Sequence, residues 1–340
     1  MVNEPHVNIL LPDRTYQAIA RSGIKKIAQE IGFKKNKLAQ LEIIAAEITS
    51  NLVKHATKGG QILVKKIEGE NKGIEVISID EGPGMDSTLK MLEDGVSTSK
   101  TLGQGLGAIK RISDEFDIYS QKNWGTILLS RLYLEERKAI NKSGIDYKVV
   151  MIAKDGEDVC GDGWGIIIKG TNLKFILADG LGHGEQANLA TQKAIEVFND
   201  NHKLSPNELI RLMHTEIKKT RGAVVNISYI DFKNKQITYS GVGNISSKII
   251  SHLKNKTCIS YNGIVGHTIP GTIHNHIYSL DGNEMLILNS DGISARWDIT
   301  KYPMISKHDG TIIAAALYKD FTRKNDDVSV AVIRNLKNSS

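Results

Sequence analysis

The sequence predicts an α/β protein of two domains, an N-terminal α/β sandwich followed by a β-sandwich flanked by helices. The first observation is the length of 340 residues, about twice that of a common domain. The second is that the first 135 residues begin with helical apolar patterns and then alternate strand-like and helical segments. The third is that short strand-like runs outnumber helical segments from residue 145 onward, as in sheets with helices packed outside.

The predicted first domain begins with two helices and continues with strands and one further helix. The predicted elements, in order, are helices at 18–32 and 37–57, strands at 61–67 and 74–79, a helix from the glycine-rich segment 103–107 to residue 116, and strands at 116–120 and 126–134. Residues 136–144 lose the apolar period, so we expect a linker there, between domains 1–135 and 145–340.

The predicted second domain is richer in short strands. Two long helical segments, 185–199 and 206–219, interrupt them, and a third helical stretch lies around 311–319. The strand-like runs are 148–153, 164–169, 173–177, 224–231, 236–240, 247–250, 284–288 and 328–333. We expect the helices to cover the outer faces of the sheets, because a sheet must bury its apolar face.

The composition excludes several classes of protein. With 40% hydrophobic residues, the chain can form two cores and is not disordered. Its net charge is +6, but basic and acidic residues are interleaved, so we expect no nucleic-acid partner. No apolar run reaches the roughly 20 residues of a membrane span, and the signal-peptide pattern is lacking. Two cysteines cannot form a disulfide framework. We therefore expect a cytoplasmic protein without a membrane partner.

A polar stripe interrupts the second predicted helix. Glu47, Asn51 and His55 are spaced i, i+4 and i+8, so their side chains share one face. Alone, this stripe fits a solvent-facing surface as well as a binding site. Two later motifs, Asp80-x-Gly82-x-Gly84 and Gly103-x-Gly105-x-Gly107, favour a binding site. Glycines let backbone N–H groups approach phosphates, and the second motif opens a helix whose N-terminus attracts anions.

These motifs, followed by Gly125-Thr126, resemble the ATP-binding GHKL fold shared by gyrase, Hsp90 and histidine kinases. Residues 91–100 and 105–116 are similar to the serine switch kinase of the bacterial stressosome, a relative of the anti-sigma-factor kinases. The similarity covers nearly all of residues 5–134. It implies a GHKL-type α/β sandwich that binds ATP and acts on serine.

The resemblance also implies a role for each motif residue. Glu47 would be the general base that takes the proton from an attacking serine, and Asn51 would hold Mg²⁺ on the phosphates. Asp80 would accept a hydrogen bond from the adenine amino group, and Thr126 would lie near adenine. The glycines that would wrap the nucleotide are Gly82, Gly84, Gly103, Gly105 and Gly107.

Four aspartate motifs mark the second domain. They are Asp158-Val-Cys-Gly-Asp162, Asp179-Gly180, Asp291-Gly292 and Asn325-Asp326-Asp327, and the last three adjoin apolar runs. A single Asp-Gly pair is most simply a turn. Carboxylates that converge from several strand ends would repel one another unless cations neutralise them. Because all these ligands are oxygens, the pattern favours Mg²⁺ or Mn²⁺ over zinc.

This pattern resembles the metal-dependent protein phosphatases of the PPM family, in the branch with the sporulation phosphatase SpoIIE and the stressosome feedback phosphatase. The match covers roughly residues 145–335 and includes 177–188, 220–223, 237–244 and 263–266. It implies a PPM-type β-sandwich with two metal ions bridged by Asp179, the expected catalytic residue. Gly180 would offer its carbonyl, and the remaining ligands would be Asp162, Asp291 and Asp326. Water would attack phosphoserine or phosphothreonine directly, without a covalent enzyme intermediate.

Three other residues of this domain bear on the site. Gly163 stands where such phosphatases often carry serine, which affects a hydrogen bond beside the metals but no ligand. His183 has two open interpretations, a general acid for the leaving alkoxide or a residue that tolerates the turn. Cys160 is expected to be buried rather than nucleophilic, because no base lies at motif distance.

Together, the two resemblances imply a bifunctional partner-switching regulator with serine kinase and phosphatase activities. The expected cofactors are ATP with Mg²⁺ in the first domain and two Mg²⁺ or Mn²⁺ ions in the second. The expected partners are STAS-domain phosphoproteins, as antagonists or scaffolds, and regulators of a sigma factor. The alternative is a phosphatase whose N-terminal half is a non-catalytic ATP sensor or anti-sigma docking module, and Glu47 argues against it.

Overall fold

The computed structural model describes residues 4–56, 59–86, 105–136, 144–251, 255–282 and 284–335. They form two compact units. The N-terminal unit contains the described part of His6–Ile140 together with Thr300–Ala316. The C-terminal unit contains the described parts of Asn141–Ile299 and of the chain from Leu317 onward, together with Glu4 and Pro5. The linker predicted at 136–144 lies almost entirely outside the described residues, so the domain boundary stays a prediction.

The N-terminal unit is an α/β sandwich with one antiparallel sheet of five strands in the order β1-β2-β3-β5-β4. Two long helices pack on one face of this sheet, where apolar side chains of helices and strands form a common core. The strands are β1 (Val7–Leu11), β2 (Gly60–Ile67), β3 (Gly73–Asp80), β4 (Glu115–Gln121) and β5 (Gly125–Tyr133). The helices are α1 (Gln17–Ile31), α2 (Lys35–His55) and α3 (Gly105–Ile112).

Two details of this unit differ from the prediction. The third helix was expected to reach residue 116, but α3 ends at Ile112. The Ser113 hydroxyl donates to the carbonyl of Ile109, a local bond that competes with helix continuation, and β4 follows at once. The edge strand β1 was not predicted, because five residues that pair with β2 alone carry little periodic signal.

A buried charged network lies on this sheet and includes the segment Thr300–Ala316. Arg131 on β5 is only 3% exposed. Its guanidinium donates to Glu75 (2.6 Å), Glu115 (2.7 Å) and Asp309 (2.9 and 3.1 Å). It also donates to the Thr311 hydroxyl at 2.7 Å. A buried guanidinium is tolerated when its donors are paired with carboxylates in this way, so Arg131 fixes that segment on the sheet of its own unit.

Glu75 on β3 is the most enclosed acid of the network, at 4% exposed. Burial alone would raise its pKa, but Lys65, Arg131 and His6 hold the pKa of Glu75 well below its ordinary range. The His6 ring lies 3.0 Å from a Glu75 oxygen. Glu75 is therefore ionised, and the fold depends on the surrounding cations to keep it so.

The C-terminal unit is a β-sandwich of two five-stranded antiparallel sheets, in the orders β13-β10-β9-β8-β7 and β12-β11-β14-β15-β6. One core lies between the sheets and a second lies under two helices on the first sheet. The predicted fold class is confirmed for both units. The strands are β6 (Ile145–Ile152), β7 (Asp162–Lys169), β8 (Asn172–Gly180), β9 (Ala223–Asp231), β10 (Gln236–Val242), β11 (Ser246–Ile250), β12 (Asn255–Thr257), β13 (His276–Ser279), β14 (Met285–Asn289) and β15 (Val328–Asn335).

The helices on the first sheet are α4 (Glu185–Asp200) and α5 (Pro206–Glu216). Pro206 at the first helical position and a Ser205/Glu208 capping box explain where α5 begins. The last helix, α6 (Gly310–Phe321), contributes its part up to Ala316 to the N-terminal unit. Among the residues described here, no helix is both long and apolar enough to span a membrane.

Candidate functional sites

The α2 stripe and the second glycine motif meet in the N-terminal unit. Glu47 and Asn51 are half-buried on α2. At Gly105, the first residue of α3, an added Cβ would lie 2.5 Å from Glu47 Oε2 and 3.9 Å from Asn51 Oδ1. Because only a hydrogen occupies that position, the start of α3 can lie against both side chains. The predicted general base and Mg²⁺ ligand therefore lie at the N-terminus of the glycine-opened helix.

A second part of this site forms at the end of β3. Asp80 Oδ1 accepts hydrogen bonds from the backbone N–H of Gly82 at 2.7 Å and of Thr126 at 3.2 Å. The Thr126 hydroxyl lies 3.0 Å from that of Ser120 on β4. Asp80 and Thr126, the two residues predicted to lie at adenine, are thus adjacent and rigidly positioned.

The glycines after Asp80 are required by close packing. Gly84 has a φ of +67°, and a Cβ there would overlap the Gln121 carbonyl. At Gly82 a Cβ would lie 2.5 Å from the His55 carbonyl oxygen. Gly107 is buried on α3, whereas Gly103 and residues 91–100 lie outside the described residues. An amide oxygen, a carboxylate and glycine N–H groups form a donor set that suits a Mg²⁺ nucleotide.

The aspartates of the C-terminal unit come from four strand ends. Asp162 begins β7 and stands opposite Asp179 at the end of β8 in the antiparallel register. Asp291 follows β14 and Asp326 precedes β15, and these two strands pair with each other. Gly180 is buried beside α4, where an added Cβ would overlap the Ala187 backbone. The ends of these four strands therefore bring the predicted ligand residues toward one region.

Burial and mutual repulsion perturb these acids. Asp162 is 1% exposed, and among the described residues neither of its carboxylate oxygens makes a hydrogen bond of normal geometry, although the Ser290 and Ser329 hydroxyls lie close enough to lower its pKa. Burial, with a contribution from Asp327, raises the pKa of Asp162 to about 7. Burial and the charges of Asp162, Asp291 and Asp326 raise the pKa of Asp179 well above its ordinary range. Such shifts indicate carboxylates that lack a compensating cation.

The chemistry of the donor set fits Mg²⁺ or Mn²⁺. Buried, unpaired carboxylate oxygens are hard ligands that these cations prefer. In the described ranges, however, no group of three or more His, Cys, Asp or Glu side chains is already arranged as a metal cluster. Ion binding would therefore require the aspartate side chains to turn toward the ions.

Asp327 has a structural task beside these acids. Its Oδ1 accepts from the backbone N–H of Lys154 at 2.9 Å and its Oδ2 from that of Gly161 at 3.0 Å. Since Gly161 directly precedes Asp162, these bonds tie the start of β7 to the start of β15. From the sequence, Asp327 is a spare acid next to Asp326 that could support the ligand residues.

His183 lies in the loop between β8 and α4. Its Nδ1 is hydrogen-bonded to a carboxylate oxygen of Glu157, a partner that sequence reasoning missed. At Gly184, with a φ of +73°, an added Cβ would lie 2.6 Å from Glu157 Oε2. Glu157 thus fixes the imidazole and leaves Nε2 as the other polar atom of the ring. Cys160 is buried, as predicted, and burial raises the pKa of its thiol, which disfavours a nucleophilic role.

Gly163 is small because α4 packs directly on β7. A Cβ at this position would lie 2.6 Å from Thr191 Cγ2 and 2.8 Å from Ile195 Cδ1. We expect Gly163→Ser to lower the free energy of unfolding by about 1–3 kcal/mol through overpacking. Urea denaturation measures this change. The matched control is Gly271→Ser, where an added Cβ meets nothing within 4 Å, and equal stability of the two variants would contradict the packing argument.

Known proteins match the two halves separately. A profile of the family described as histidine kinase-like ATPase domain matches residues 11–131. A profile of the family described as stage II sporulation protein E (SpoIIE) matches residues 169–335. A solved structure described as "The bacterial stressosome: a modular system that has been adapted to control secondary messenger signaling" is 26% identical with a TM-score of 0.51. It matches 56% of this chain and 99% of that one.

Two curated relatives come from Bacillus subtilis (strain 168). The serine/threonine-protein kinase RsbT is 37% identical over 108 residues, which are 32% of this chain and 80% of RsbT. The phosphoserine phosphatase RsbX is 26% identical over 148 residues, which are 43% of this chain and 73% of RsbX. The chain belongs to the family of the serine/threonine-protein kinase RsbT through its histidine kinase-like ATPase domain, and it joins this domain to a segment that matches the SpoIIE family profile.

Proposed function

We propose that this protein phosphorylates a serine of a STAS-domain protein with its N-terminal unit and removes phosphate from phosphoserine or phosphothreonine with its C-terminal unit. The observation that carries the proposal is that each unit brings its candidate catalytic residue together with further polar groups. Glu47 lies beside Asn51 at the start of α3, and Asp179 lies among mutually repelling aspartates.

For the kinase unit, the positions of three groups support transfer. Asn51 would hold Mg²⁺ against the ATP phosphates, and the N-terminus of α3 would add backbone N–H donors. Glu47, on the same face of α2, would accept the proton of the serine hydroxyl as its oxygen bonds to the γ-phosphorus. Phosphoryl transfer depends mainly on positioning and charge neutralisation, so few further groups are needed.

For the phosphatase unit, the ligands would be Asp162, Asp179, Asp291, Asp326 and the Gly180 carbonyl. When bound, divalent cations activate water and screen the charge of the phosphate group. The protein contributes the backbone positions of these ligands, at the ends of four strands. Asp327 holds the start of β7 through Gly161, and Asn244 donates to Asp291 Oδ2 at 2.8 Å, as expected for groups that orient ligands.

A sensor interpretation of the N-terminal unit makes a different prediction from ours. If this unit only binds ATP, the wild-type protein transfers no phosphate and Glu47 has no catalytic role. We expect Glu47→Gln to lower phosphate transfer to the STAS protein by about 10²–10⁴-fold, the usual contribution of a general base, while ATP affinity is unchanged. Transfer is measured with radiolabelled ATP and binding by calorimetry.

The matched control for this experiment is Glu42→Gln on the same helix. Glu42 is exposed and pairs with Lys25 on the surface, so its loss has little effect. Transfer that survives Glu47→Gln would exclude Glu47 as the base. Wild-type protein that binds ATP but never labels the STAS protein would favour the sensor.

The shared target is a separate part of the proposal. Purified protein is first given radiolabelled ATP with Mg²⁺ and one STAS protein, and then Mn²⁺ with excess unlabelled ATP. We expect the label to appear and then to leave the same serine, as located by mass spectrometry. If the two units act on unrelated proteins, the shared-target proposal fails even though both activities stand.

A further inference from the structure

The Arg221 side chain lies over the loop that follows Asp179. Antiparallel pairing of β8 and β9 places Gly180 opposite Ala223. The pairing extends by one more residue, because the Leu181 N–H donates to the Gly222 carbonyl at 3.0 Å. One step further along this ladder, Arg221 faces Gly182. Its Nη1 lies 3.1 Å from the point where a Cβ on Gly182 would stand. The guanidinium thus occupies the space that the missing side chain leaves open.

The backbone of Arg221 is held on both sides. The Thr220 hydroxyl donates to the Ile217 carbonyl and accepts from the Gly222 N–H at 3.0 Å. The His267 ring lies 2.8 Å from the carbonyl oxygen of Arg221. Gly222 has a φ of +77°, and a Cβ there would lie 2.7 Å from the Val265 carbonyl. This support fixes the starting point of the side chain.

The guanidinium itself is not used by the fold. Arg221 is exposed, and its side-chain nitrogens make no hydrogen bond or ion pair to any part of the chain that the structure describes. A second arginine, Arg323, lies near the acids, but its charge acts on Asp291, whose pKa it lowers against the effect of burial. Arg221 is therefore a cation beside this loop whose charge is not engaged by the described residues.

The excess negative charge of the aspartate site favours a cation beside it. The aspartates at 162, 179, 291, 326 and 327 carry more negative charge than two divalent cations neutralise, and a phosphoserine brings a further dianion. A positive group at the rim offsets this repulsion. A guanidinium does so with two parallel N–H donors that match two phosphate oxygens.

We propose that Arg221 binds the phosphate group of the phosphoprotein substrate, an inference that rests on the proposed phosphatase function. Because a phosphate contact of this kind is made before and during hydrolysis, its loss acts mainly on KM. Arg221→Ala is expected to raise KM for a phosphoserine peptide about 10- to 100-fold, the usual effect of losing hydrogen bonds to a charged group, with a much smaller change in kcat. Arg221→Lys is expected to raise KM less than Arg221→Ala does, because lysine keeps the positive charge but lacks the two parallel N–H donors.

A second readout does not depend on turnover. Inorganic phosphate is titrated calorimetrically into Mn²⁺-loaded protein, and its affinity is expected to fall in Arg221→Ala by a factor similar to that of KM, while Mn²⁺ affinity stays unchanged. Lys219→Ala, a nearby exposed cation, is the matched control and keeps wild-type KM and phosphate affinity.

The outcomes separate this inference from the proposed function. An unchanged KM and phosphate affinity in Arg221→Ala would overturn the inference, and a loss found in Arg323→Ala instead would move the role to that residue. If the wild-type protein hydrolyses no phosphoserine substrate, the proposed function fails. The phosphate titration still tests Arg221, since binding that disappears in Arg221→Ala supports the site without turnover.

Discussion

Asp179→Asn is expected to lower metal-dependent hydrolysis of phosphoserine by more than about 100-fold. Loss of a group that only orients a metal ligand costs about 10- to 100-fold, and Asp179 is proposed to bridge both ions, so the effect of its loss is larger. Initial rates on a phosphoserine peptide in Mn²⁺ measure the change. Asp200→Asn is the matched control, because Asp200 is exposed at the C-terminal end of α4 and is not one of the predicted metal ligands.

The same variant is expected to be more stable than wild type when no metal is present. Burial and neighbouring carboxylates raise the pKa of Asp179 in the folded protein. A raised carboxyl pKa means that ionisation costs folding free energy at every pH above the ordinary value of 3.8. The isosteric amide removes that cost at pH 7, so the thermal midpoint should rise. A misfolded variant would show the opposite change.

When metal is added, we expect wild type to have a higher thermal midpoint than Asp179→Asn. Mn²⁺ that binds only the folded state raises the midpoint of wild type, and this increase should be small or absent in Asp179→Asn. The pair of measurements separates a metal ligand from a structural acid, since a structural acid has no Mn²⁺-dependent effect. Hydrolysis and Mn²⁺ stabilisation that both persist in the variant would exclude Asp179 as a ligand.

The sequence was informative where a motif is local. Asp80, Gly82 and Gly84 lie within five consecutive residues, and the turn that they form is the one that their residue types require. Asp179 was also predicted from its position beside a strand-like run, whereas Asp162 was predicted only from the resemblance to the metal-dependent phosphatases. Pairing of β7 with β8 then places them opposite each other.

Contacts between distant segments were not predictable in the same way. Glu157 meets His183, and Arg221 reaches Gly182 only through the register of β8 and β9. Neither contact leaves a periodic signal in the chain. The segment Thr300–Ala316 lies in the sequence between two aspartates of the second domain, yet it belongs to the N-terminal unit. Its assignment depends on Asp309 and Thr311, whose residue types alone do not identify Arg131 as their partner.

Removal of the Arg131 charge should have the largest effect on stability. Arg131→Met keeps much of the side-chain volume but leaves Glu75, which is 4% exposed, without its closest cation. Breaking a buried ion pair by removing one partner costs about 3–5 kcal/mol, since the remaining charge is uncompensated. Hydrogen exchange of β3, β5 and residues 300–316 measures the loss within this unit. Lys25→Met, which breaks the exposed pair with Glu42, is the control and should cost under about 1 kcal/mol.

A double variant and a pH series test the cause of this loss. Arg131→Met combined with Glu75→Gln removes both charges and should recover part of the stability, because the uncompensated carboxylate is gone. In wild type the pKa of Glu75 lies below its ordinary value of 4.5, so its ionised form stabilises the fold above that pH. This contribution disappears as the pH falls through the lowered pKa. The difference in the free energy of unfolding between wild type and Arg131→Met should therefore be largest at pH 7 and decrease below about pH 4. A difference independent of pH, with no recovery in the double variant, would attribute the loss to packing of the arginine stem rather than to its charge.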